Sequence, residues 1–130
     1  MNPSTIHPIA GCAALEGADY AAYDRRWLIV DETGRWLDSR RCPDLAKIEV
    51  SVRFGYLVVR APGMMRMDIP MDVIEDDDSV LAQALVGDQA VRVVDEGELA
   101  AAWLADLLGQ TGRLVKVHPL ADPIRWPDSV

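Results

Sequence analysis

Thiols and imidazoles are scarce in this chain: Cys12 and Cys42, His7 and His118 are all that its 130 residues hold. Two cysteines make neither a disulfide framework nor a zinc-ligand spacing, so a reduced, cytoplasmic setting is the expectation. A single Cys12–Cys42 bridge stays open. Each histidine precedes a proline and has no acid set for it, so neither a catalytic triad nor a metal site is expected. Basic charge is short as well. Lys and Arg number 13 against 21 Asp and Glu, a net charge of −8, which argues against nucleic acid and anionic membranes as partners. No apolar run approaches the roughly 20 residues of a membrane-spanning helix. Residues 1–8 carry neither the charged head nor the apolar core of a secretory signal.

What is present is ordinary globular material, half of it apolar, in a chain long enough for one core without staples. The charge is uneven. Glu75-Asp76-Asp77-Asp78 heads an acidic block, while Arg25, Arg26, Arg35, Arg40, Arg41, Lys47 and Arg53 gather in the N-terminal half. Short strands dominate the pattern. Thr5 to Ile9 reads as the first. Arg26-Trp27-Leu28-Ile29-Val30 is another, with Asp31-Glu32-Thr33-Gly34 as a hairpin-type turn and Arg35-Trp36-Leu37 as the return. Ile48–Val52 and Tyr56–Val59 form a tight hairpin, and Met65, Met67 and Ile69 alternate along a further strand. Ala90–Val94 and Arg113–Val117 complete about seven.

The stripe Leu99, Ala100, Trp103, Leu104, Leu107 and Leu108 predicts one helix. Asp95 is placed to cap it, with Glu98 in capping-box register, and Gly109 to end it. A short helix is expected over residues 79–85. The fold class expected is α+β: a mostly antiparallel β-barrel of about seven strands with one packed C-terminal helix. Residues 1–117 form the domain and 118–130 a proline-rich tail without regular structure.

Few residues carry a chemical signal. Arg25 and Arg26 stand at a strand start, where guanidinium groups could fork onto a phosphate or pair internally with Asp24 or Asp38. Arg40 and Arg41 read as a solvated turn. Cys42 beside Arg41 has a cation that would lower a thiol pKa, against burial as a small hydrophobe for both cysteines. The run 75–78 lacks calcium-loop spacing. Met64, Met65, Met67 and Met71 suggest core packing for half of them, with an adaptable surface as the rival account. Trp27, Trp36 and Trp103 are expected in the core and Trp126 outside it.

In order and spacing, several motifs resemble the N-terminal β-barrel domain that precedes the MOSC domain in molybdenum cofactor sulfurases and in the amidoxime-reducing component family. They are His7-Pro8-Ile9-Ala10-Gly11-Cys12, Asp24-Arg25-Arg26-Trp27, Asp31-Glu32-Thr33-Gly34-Arg35, Ser39 to Ile48, Ala61-Pro62-Gly63-Met64, Ala102 to Gly109 and Arg113-Leu114-Val115. The resemblance spans about residues 4–117. It implies that Arg25 contacts a pterin phosphate, a role that relatives share with a lysine and a serine. Those two positions are Ala10 and Gly11 here, which removes a cation and a hydroxyl donor. The MOSC domain, where the family's reactive cysteine lies, is outside this sequence. The resemblance therefore implies a non-enzymatic accessory or binding domain. It would recognise an anionic ligand through Arg25 or dock a MOSC-type or other protein partner. The alternative is a protein–protein interaction module that has lost any cofactor role. No tightly bound cofactor is expected, the molybdenum cofactor being admitted by the resemblance alone.

Overall fold

The computed structural model describes residues 5–10, 15–16, 23–37, 41–70, 81–118 and 124. Within them the chain is α+β with antiparallel strand pairs. The first two strands are minimal: β1 (Thr5–Ile6) pairs with β2 (Leu15–Glu16). A four-stranded sheet has the order β3 (Trp27–Val30), β9 (Arg113–Val117), β8 (Gln89–Asp95), β7 (Leu81–Val86). A three-stranded meander joins β4 (Glu49–Arg53), β5 (Tyr56–Arg60) and β6 (Met67–Pro70). One helix, α1 (Glu98–Leu108), lies between β8 and β9 in sequence.

Residues 35–36 close the larger sheet. Trp36 bridges Val30 of β3, and Arg35 bridges Leu85 of β7, so the circuit β3–β9–β8–β7 returns to β3 and leaves fewer strand edges open. Inside this small barrel pack Leu28, Val30, Trp36, Ala84, Val86, Val91, Val93 and Val115. The alternate residues of the same strands, Trp27, Ile29 and Leu114, face a second core. There they meet Val50, Leu57, Val59 and Ile69 of the meander and Ala100, Leu104 and Leu108 of α1. Strand β3 is thus buried on both faces, which is why it reads as an unbroken apolar run rather than an alternation.

The turn at residues 31–34 follows from its chemistry. The Asp31 carboxylate accepts the Thr33 N–H at 2.9 Å, the Thr33 hydroxyl at 2.6 Å and the Arg35 N–H at 3.1 Å, as an Asx-type turn does. Gly34 takes φ +87°, a conformation only glycine adopts cheaply.

Some expectations are corrected. Residues 81–86 form β7, a strand, where a short helix over 79–85 was expected. Glycine closes its hairpin, and pairing of all six residues with β8 overrides a weak helical pattern. Helix α1 starts on Gly97 without a side-chain cap. Asp95 instead accepts the Gly97 N–H and holds Arg113, so the capping box does not form. Gly109 ends the helix as expected, at φ +69° with its N–H on the Ala105 carbonyl. Leu99 points to solvent, off the buried stripe. The pairing of residues 5–6 with 15–16 carried no legible signal, and Ile9 meets Trp27 only through an isolated parallel bridge.

Trp27 and Trp36 are buried as expected, Trp103 is half-buried, and Met67 packs on the core while Met65 is exposed. Arg40, Cys12, Met71, Trp126 and the run 75–78 lie outside the described residues. Of the tail, His118 and Ile124 are described, and Ile124 packs against the barrel core. Among the described residues, no helix is long and apolar enough to cross a membrane.

Candidate functional site

Segment 7–10 lies beside the start of β3. Trp27 donates its N–H to the Pro8 carbonyl at 3.0 Å, and Ala10 donates to the Trp27 carbonyl at 2.9 Å. This brings the His7–Ala10 and Asp24–Trp27 motifs together, as their shared place in the resemblance implies. Arg25 sits between them in a left-handed conformation, φ +53°, uncommon for a residue with a side chain. Its N–H donates to the His7 carbonyl at 2.8 Å. Asp24 then braces the corner twice: one carboxylate oxygen accepts the His7 N–H at 2.8 Å, the other the Arg25 Nη1 at 2.9 Å. The Arg25 Nε is buried and has no acceptor among the described residues. Ala10, which the resemblance sets where relatives would carry a lysine, is fully buried at 0% exposure. It packs in the barrel core, where an ammonium would have to be desolvated.

Arg41 is engaged elsewhere. It donates to the Trp36 carbonyl at 2.9 Å and to Asp31 Oδ2 at 2.7 Å. Burial raises the Asp31 pKa, but hydrogen bonds from Thr33, Arg41 and the Arg35 backbone more than offset it and hold the carboxyl well below its ordinary value. A depression of about 200 Å³ opens here, lined by Asp31, Glu32, Thr33, Arg41, Gln110 and Thr111. Arg25 precedes β3 and Asp31 follows it, so the strand's roughly 13 Å separate the two ion pairs. The two guanidinium groups do not converge. Cys42 is buried with a free thiol, which accepts a long contact of 3.5 Å from Gln110 Nε2. That is the small-hydrophobe reading rather than the reactive one.

A cluster that the sequence did not reveal lies under Trp27. The indole Nε1–H donates to Glu96 at 2.7 Å, and the Lys116 ammonium stands 5.3 Å from the ring centroid. Lys116 is 2% exposed. Tyr23 stacks on Trp27 at 6.2 Å, and Arg26 lies over Tyr23 at 6.0 Å. Burial lifts the Glu96 pKa, partly offset by Trp27 and Lys116 and reinforced by Asp95. The signal in sequence was a lysine within the apolar strand 113–117, which alternation alone reads as facing solvent. Among the described residues, no group of three or more His, Cys, Asp or Glu is placed to hold a metal ion.

Among the described residues, the curled sheet bridged at residues 35–36, its meander, helix α1 and the paired motifs around Arg25 define a small α+β barrel domain. The chain belongs to the MOSC N-terminal beta barrel domain family, whose model matches residues 4–111. It is 32% identical over 123 residues to the molybdenum cofactor sulfurase of Danio rerio, covering 88% of this chain and 15% of that protein. With the human molybdenum cofactor sulfurase the identity is 28% over 119 residues, covering 85% and 13%. The chain thus spans about a seventh of the length of these relatives. A solution structure of a protein from Bordetella bronchiseptica is 53% identical, with a TM-score of 0.82 and 98% of both chains covered.

Proposed function

We propose that the chain is a non-enzymatic binding domain that works by docking a protein partner of the MOSC type, rather than by holding the cofactor itself. The observation that carries this reading is the engagement of both arginines. Asp24 takes Arg25 and Asp31 takes Arg41, at opposite ends of β3. A phosphate at Arg25 would have to displace a carboxylate already paired with the guanidinium, which lowers the gain from binding. Ala10 adds nothing to such a site. On this reading the residues do not fit a tightly held pterin phosphate, and no chemistry is routed through one. The sulfurases carry the matching segment within a much longer chain, so a surface shaped to face another domain is expected on it.

A second reading, anion recognition at Arg25, has one observation in its favour: the buried Nε without an acceptor among the described residues. Under it, the guanidinium would turn from Asp24 towards a phosphate oxygen. Heteronuclear NMR titration with inorganic phosphate and a pterin phosphate separates the two. The docking reading expects no saturable shifts at residues 7–10 and 25–27 at millimolar ligand. Saturable shifts there, absent in Arg25→Ala and weakened in Arg25→Lys, would overturn it in favour of the anion site.

A further inference from the structure

The outward face of the β4–β5–β6 meander differs from the rest of this acidic chain. Leu57 and Val59 point into the core, so Val58 between them points outward, yet it is only 2% exposed. Long neighbours enclose it. Two shallow depressions of about 360 and 410 Å³ flank Val58 and share Arg53. Phe54, Tyr56 and Arg66 wall one, and Arg60 walls the other. Among the described residues, Glu49 and Asp68 are the acids that line these depressions. Asp68 is paired with Arg66 at 3.1 Å. Among the described residues, no carboxylate comes within ion-pair distance of Arg53 or Arg60, although Glu49 is the cross-strand neighbour of Arg60. In a chain of net charge −8, the described residues of this face thus hold more guanidinium groups than paired carboxylates.

The hairpin tip points the same way. Phe54 and Gly55 connect β4 to β5 as a two-residue loop, and both have positive φ, +51° and +79°. Such loops favour Asn, Asp or Gly at the first position. Phenylalanine there is strained, and it is 91% exposed, so neither the turn nor the core of this chain benefits from it. The Arg53 guanidinium lies 5.8 Å from its ring centroid. Aromatic residues and arginine are enriched at interfaces, and arginine is among the residues that carry most of the binding energy there.

Resting on the docking reading above, we infer that this face binds an acidic protein segment, with Phe54 as its apolar anchor and Arg53 and Arg60 as its charge contacts. Opposite charge selects the partner and speeds encounter. Screening over about 8 Å at physiological salt keeps the local arginines decisive against the acidic remainder of the chain.

The test uses the isotopically labelled full chain and a short synthetic peptide of glutamates around a central leucine. Saturable shifts at residues 53–60 and 66–69 are expected, weakened about tenfold in the R53A/R60A double variant and by added salt. Phe54→Asn is expected to weaken binding about tenfold while raising the thermal midpoint by about 2–4 °C, because asparagine suits the turn. A purely structural Phe54 would not separate the two readouts. Absence of shifts, or equal binding of a peptide with lysines in place of the glutamates, overturns the proposal. So does concentration-dependent self-association removed by neutralising residues 75–78, which would make a second copy the occupant. Peptide shifts centred on another surface would sink this face but leave the docking reading standing. Phosphate shifts at Arg25 would sink the docking reading without touching this face.

Discussion

Lys116 is a charge in a hydrophobic core, and the structure sets what its removal should do. In Lys116→Met the thioether fills most of the space against Trp27, but the cation over the indole is lost. That contact is worth about 2 kcal/mol when desolvated. Glu96 also loses an attraction that lowers its pKa. Together the variant should be destabilised by about 2–3 kcal/mol at neutral pH. Glu96→Gln keeps an oxygen for the Trp27 Nε1–H and should cost about 1–2 kcal/mol by leaving the lysine less compensated. Each single change already breaks the Lys116–Glu96 attraction, so the double variant should be more stable than the sum of the two losses by about 1–2 kcal/mol.

The pH dependence gives a second handle. Burial lifts the folded Glu96 pKa above its unfolded value. Its contribution to stability is therefore full below the unfolded value and lost as pH rises through the folded one. Removing Lys116 lifts that pKa further, so the penalty of Lys116→Met must grow between about pH 4 and about pH 7. Urea unfolding followed by tryptophan fluorescence and circular dichroism at both pH values measures it. A penalty independent of pH, or strict additivity in the double variant, would refute the argument.

Gly34→Ala is expected to cost about 2–3 kcal/mol in thermal unfolding, since the backbone there is left-handed and the new Cβ would meet the Gln83 carbonyl oxygen at 3.3 Å. Gly112→Ala should be neutral or stabilising by up to about 1 kcal/mol. Its Cβ would touch Leu108, Ile29 and Leu104 at ordinary distances, with no left-handed backbone to strain. Asp31→Asn should be less stable than the parent at neutral pH, with the gap closing as pH falls below about 4. The depressed Asp31 pKa means that its stabilisation is present above the unfolded value and lost as pH falls through the folded one. Chemical denaturation over a pH series reads this gap directly.

The strands that sequence reading located best are those whose partners are near in sequence. The 49–60 hairpin needs only a two-residue loop, and the turn at Asp31–Gly34 announces itself by residues that suit it. Helix α1 is legible because its buried positions recur at helical spacing and Gly109 stops it. Failures occur where distant pairing decides. Residues 81–86 become strand because β8 and the Arg35 bridge hold both their edges. Asp95 leaves the capping role because Arg113, brought alongside by the sheet, binds it more strongly.

Three residues break local rules, and what the chain gains from each separates structure from function. Arg25 takes a left-handed corner, but there its N–H reaches His7 and its side chain reaches Asp24, so the strain fixes the barrel's first segment. Lys116 is buried, but the indole and Glu96 compensate it. Both therefore have uses within the fold, and a motif match at Arg25 is not by itself a binding site. Phe54 is different. It occupies a strained turn and contacts solvent, and its ring contact among the described residues is with the arginine beside it. Local rules broken without an internal return are expected where a protein meets something else. On that ground the docking proposal is better tested at the hairpin tip, which carries none of the motifs of the resemblance, than at the arginine that does.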